Sequence, residues 1–310
     1  MKRVFLLAGA LLLLGSVASA AALGTAARNV IPSEVQQIIS VDYRALRNSP
    51  TALSLKERVL PENLKQFETA LKSAGVDPEN DVDQLTFALF RTPKNGLQVI
   101  GVAGGQFSPK KVLARFKKQK VVGQKYKTAM IFPLSGTQMT FLDDWTMLFG
   151  DTSAIKAALD ARNGDALSLS TNAKVSDMIG AVENGSIWSV LDEKGSQNML
   201  RSALGDVSSL ADYDVVKKRL IGSRYQMDFD NGVNFNLDVI TSDSMTASTL
   251  SSMLQVGKRL KETNATGVEK LAIESMDVGS DSNQLKVHFK TDDKKFETLL
   301  RSELFASVSR

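Results

Sequence analysis

Twice in this chain an Asn-Gly pair sits between two runs of strand-like alternation. Residues 85–92 and 97–104 flank Pro93-Lys94-Asn95-Gly96, and residues 223–230 and 233–241 flank Asn231-Gly232. Asn-Gly supplies the positive φ that a tight hairpin needs, so each site predicts two antiparallel neighbours. The same order of elements recurs around both. The first hairpin follows an extended segment at 36–43 and two helices, the second of them at 62–74 with Leu64, Phe67, Leu71 and Ala74 on one stripe. After it come a helix opening at Ser108-Pro109, strands near 125–134, 137–143 and 145–150, and a helix at 152–161. The second hairpin follows a strand at 186–192 and helices near 197–204 and 210–220. After it come a helix at 245–261, strands at 271–278 and 284–291, and a last helix sharing Phe296, Leu299, Leu300 and Leu304. Both halves, 29–164 and 172–305, therefore read β-α-α-β-β-α-β-β-α, with one extra strand before the last helix of the first half. That order predicts an α+β fold in two similar halves, with antiparallel sheet and helices packed on one face.

The first 20 residues stand apart. Lys2 and Arg3 precede an apolar run, and Ala18-Ser19-Ala20 offers small residues where a signal peptidase cuts. We read 1–20 as an export signal, with an uncleaved anchor over 4–23 as the alternative. Export of a chain with no Cys leaves stability to the core, and it excludes thiolate chemistry and Cys-ligated metal. The single His, His288, removes multi-His sites. No cofactor loop, metal set or nucleophile–base pair emerges, so no cofactor, catalytic residue or metal ligand is assigned. The formal charge of +4 falls to +2 once Lys2 and Arg3 leave, which makes a nucleic-acid partner a poor expectation.

One charge feature stands out. Lys110, Lys111, Arg115, Lys117, Lys118, Lys120, Lys125 and Lys127 occur without one intervening acid. On a helix with Val112, Leu113 and Phe116 turned inward they form a basic outer face, suited to an anionic membrane surface or acidic envelope polymer. The alternating acids Asp77, Glu79, Asp81 and Asp83 start like a calcium loop. Val82 stands where that loop needs Gly, and Ala88 where it needs Glu, so a turn is the expectation. Ser108-Pro-Lys-Lys111 matches S-x-x-K, but it reads more simply as a helix start.

Ile39-Ser-Val-Asp42, then Gly75-Val-Asp-Pro running to Asp83 before a strand, then Phe141-Leu-Asp-Asp with Leu148-Phe-Gly150 and a helix, form an ordered set. In this the chain resembles a broad group of uncharacterised exported bacterial proteins with duplicated α+β halves. The resemblance implies export and fold, and it supplies no activity. The expected role is an exported, non-enzymatic binding or scaffold module of the periplasm or cell exterior. Its partner would be an envelope protein or an anionic membrane. A carrier for a lipid or other amphiphile is the first alternative, and a carboxylate-based hydrolase the second.

Overall fold

In the computed structural model, which describes residues 22–59, 68–69, 71–134, 136–204, 213–230, 232–265 and 267–300, the strands join edge to edge. The first half supplies β1 (Val35–Asp42), β2 (Val82–Thr92), β3 (Gly96–Gly105), β4 (Gln124–Tyr126), β5 (Ala129–Leu134), β6 (Thr137–Phe141) and β7 (Thr146–Gly150). The second supplies β8 (Ile187–Leu191), β9 (Leu220–Asp228), β10 (Val233–Thr241), β11 (Met276–Asp281) and β12 (Gln284–Thr291). They form one 12-stranded sheet in the order β11-β12-β10-β9-β8-β1-β2-β3-β7-β6-β5-β4. Each pairing is antiparallel, so the class is α+β.

The two halves meet at the centre, where β1 pairs antiparallel with β8 and Ile39 faces Ser189. Outward from that seam one arm runs β1-β2-β3-β7-β6 and the other β8-β9-β10-β12-β11. The Asn-Gly hairpins lie at the same place in both arms. Gly96 at φ +66° and Gly232 at φ +115° occupy the left-handed region that Gly tolerates without a Cβ penalty.

Helices cover one face along the whole sheet. Val112 and Phe116 of helix Pro109–Lys118 pack on Leu85, Ala103, Met139, Met147 and Phe149. Leu250 and Met253 of helix Ser244–Asn264 pack on Val239, Leu285 and Val287. The expectation of helices on one face needs an addition, because a second group covers the centre of the opposite face. Helices Thr25–Val30, Thr152–Arg162 and Ala173–Gly180 bury Ile38, Ala88, Phe90, Ile100, Val102, Leu148, Trp188 and Val190. The reason lies in the strands. In β2 both parities are apolar, Leu85 and Phe87 against Ala88 and Phe90, so both sides must be kept from water. Further out, the opposite face turns polar, with Arg224 bonded to Asp238 and His288 to Asn236.

Other boundaries also differ from expectation. Residues 271–278, expected as a strand, divide into helix Gly267–Glu274 and strand β11. Ile273 turns inward, and Leu271, two residues away, is 54% exposed, which is helical rather than strand geometry. The helix expected at 210–220 is Tyr213–Lys217, and β9 already begins at Leu220. The single strand expected near 125–134 breaks at Lys127, whose φ is +52°, into β4 and β5. The signal at 1–20, most of the helix at 62–74 and Leu304 lie outside the described residues.

Candidate functional site

The basic segment takes its place from two apolar residues. Val112 and Phe116 lie one turn apart, are buried, and hold helix Pro109–Lys118 on the sheet, with the Phe116 ring 5.3 Å from that of Phe132. Pro109 takes the first turn, where a missing N–H costs nothing, and Arg115, Lys117 and Lys118 crowd the last turn, where the helix dipole favours cations. Leu113, expected inward, is 38% exposed instead.

The eight expected cations do not act as one patch. Lys127 is withdrawn from it: its ammonium donates to the carboxylates of Asp160 and Asp165, which hold its pKa well above the usual lysine range. Tyr126 donates to Asp160 Oδ1 at 2.9 Å, and Lys156 Nζ sits 5.2 Å from the centre of the Tyr126 ring. That cluster locks the β4–β5 turn onto helix Thr152–Arg162. Arg115 lies along Gly75, its Nη1 3.2 Å from where a Cβ on that glycine would sit. Lys110, Lys111, Lys117, Lys118, Lys120 and Lys125 are exposed, and none has an acid partner among the described residues.

Charge is distributed unevenly along the helix. At its amino end Gln106 N donates to Asp81 O and Phe107 N to Asp144 O, which brings the acidic turn at 77–83 and the Asp143-Asp144 turn close to Lys110 and Lys111. At its carboxyl end Lys117, Lys118, Lys120 and Lys125 surround a tight turn. Lys120 stands at φ +59°, and Val121 N donates to Phe116 O at 2.9 Å. Val122, just past this turn on the way to β4, is 84% exposed.

The acidic run behaves as a turn. Asp77 accepts from Glu79 N and Asn80 Nδ2 ahead of the short helix Pro78–Asp81, and its pKa is held down first by the Asn80 bond. Asp83 takes Arg44 and Arg47 as ion-pair partners. Ser108 makes no side-chain cap bond, and residues 101–105 belong to strand β3. His288 is half-buried on the polar face between exposed Lys286 and Lys290, as the alternation of β12 requires. Among the described residues no group of three or more His, Asp or Glu could hold a metal ion. Among them, too, no helix is long and apolar enough to cross a membrane.

No family model and no curated protein matches the chain. Among solved structures it is similar to crystal form I of TP0453, with a TM-score of 0.50 and 8% identity over 88% of this chain and 95% of that one. Crystal form III of TP0453 gives a TM-score of 0.48 at 7% identity over 88% and 96%. At that identity the likeness to crystal form I is one of fold alone.

Proposed function

We propose that the chain is an exported, non-enzymatic envelope module that binds an anionic surface through Lys117, Lys118, Lys120 and Lys125. The observation that carries this reading is the corner itself: four exposed lysines without acid partners among the described residues, at the end of the helix away from the acidic turns. Near an anionic membrane each lysine contributes about 1 kcal/mol, so four suffice for reversible peripheral contact. The signal-like residues 1–20 support export to the periplasm or beyond. The common strand order of the two arms supports a duplicated unit, and so does the resemblance carried by Ile39–Asp42 and 75–83. The test is retention on an acidic surface as salt is raised, comparing the protein with its K117E/K118E variant. We expect at least tenfold weaker retention for the variant, and convergence of the two as the Debye length shrinks from about 10 Å at 0.1 M to about 3 Å at 1 M. Retention indifferent to salt and to the substitutions would remove the reading.

A second reading, an amphiphile carrier, has one observation in its favour. Ile39, Phe87, Tyr225, Phe235 and Leu237 lie half-buried on the helix-covered face, near the seam between the arms. Native mass spectrometry of the protein taken from its envelope fraction tests it. Bound mass in the lipid range would favour the carrier, and the bare chain mass would rule it out.

A further inference from the structure

Resting on the proposed surface contact, we infer that the surface is a phospholipid bilayer and that Val122 enters its acyl region while the four lysines hold the headgroup phosphates. Among the described residues Val122 is the most exposed large apolar side chain, at 84%, and it lies in the segment 121–123 between the helix and β4 rather than on a packed element. A soluble acidic polymer offers nothing to such a residue, whereas a bilayer lets it leave water just beneath its charges. A second exposed apolar residue lies beside it: Met130 is 41% exposed, its Cε 3.1 Å from where a Cβ on Gly123 would sit.

The turn is built to keep its shape. Lys120 N donates to Lys117 O at 3.1 Å and Val121 N to Phe116 O at 2.9 Å, so the chain leaves the helix in one direction. Gly123 lies against the Phe132 ring, where a Cβ would come within 2.6 Å. Val122 is therefore presented rather than tucked in, and little ordering remains to be done on binding. Trp145, 61% exposed at the other end of the helix, is no candidate for the same role, because Asp143 and Asp144 beside it oppose an anionic surface.

The experiment reads Val122 directly. The protein as its own cell processes it is mixed with vesicles of phosphatidylglycerol and phosphatidylcholine, and separately with beads bearing a soluble polyphosphate. A W145F background leaves Trp188, buried at 1% exposure and so a constant background, beside the probe, and changes in emission of V122W report position 122. We expect V122W emission to shift to the blue on vesicles and not on beads. We expect V122S to bind vesicles about tenfold more weakly, as loss of a buried valine requires, and beads unchanged. Vesicle binding that K117E/K118E weakens, with no blue shift and with V122S equal to the parent, would overturn the insertion and leave the surface contact standing. Bead binding without vesicle binding would overturn the bilayer and leave an acidic polymer. No binding to either would overturn both.

Discussion

Asp243 shows how much a single side chain can organise at an element's start. Its carboxylate accepts from Thr246 N at 2.8 Å and from the hydroxyls of Thr246 and Ser242, ahead of the helix Ser244–Asn264. The bond from Thr246 N does most to pull its pKa down, to about 2, with the two hydroxyls and Arg219 adding to it. A carboxyl depressed in the folded chain relative to about 3.9 in the unfolded one stabilises the fold above the higher value. That contribution fades as pH falls through the lower one. D243A should therefore lower the urea midpoint at pH 7, and its deficit against the parent should shrink between about pH 4 and pH 2. A deficit that stays constant across that range would mean the helix start draws nothing from the charge. The residue scale also marks a limit of sequence reading. Nothing local to Lys127 says that Asp160 and Asp165, 33 and 38 positions away, will neutralise it. The basic run looked uniform for that reason.

At the scale of elements, the free edge of β11 is the exposed risk, since an unpaired strand invites another chain. The carbonyls of Met276 and Val278, two apart and so on one side of the strand, accept from Lys258 Nζ at 2.6 Å and Gln255 Nε2 at 2.9 Å. Both donors come from helix Ser244–Asn264, which thus occupies acceptors that a neighbouring strand would need. The opposite edge is blunted differently: β4 is three residues long and carries Lys125. Q255A/K258A should keep the fold and show concentration-dependent association by sedimentation, while a variant that stays monomeric at high concentration would discount the edge-capping role. The hairpins were legible because Gly96 and Gly232 take the positive φ that a local Asn-Gly pair signals. The helix Gly267–Glu274 was not, because Leu271 and Ile273 alternate like a strand and only their unequal burial reveals a helix. The cover on the opposite face by helix Ala173–Gly180 was equally hidden, although the two apolar parities of β2 signalled that some cover was required.

Across the whole molecule the two arms are stitched at more than the seam. Leu46, Ala52 and Leu55 from the first half share a buried cluster with Phe229, Val233 and Phe296 from the second, and Thr51 Oγ1 donates to the Asp293 carboxylate. One cooperative unit is the consequence. F296A should cost about 3–5 kcal/mol and shift a single transition seen alike by near- and far-ultraviolet dichroism. Two separate transitions would show the halves to be independent. The seam also sets an order of events. Gln37 and Ser189, whose side chains meet at 3.4 Å across it, are 152 positions apart. While the chain is being made, β1 can dock on β2, but its other side stays open until β8 arrives. A chain halted between the halves would carry its longest-lived vulnerability at its geometric middle. Two such chains could close it by pairing β1 with β1, which gives the half-length product a ready route to a dimer.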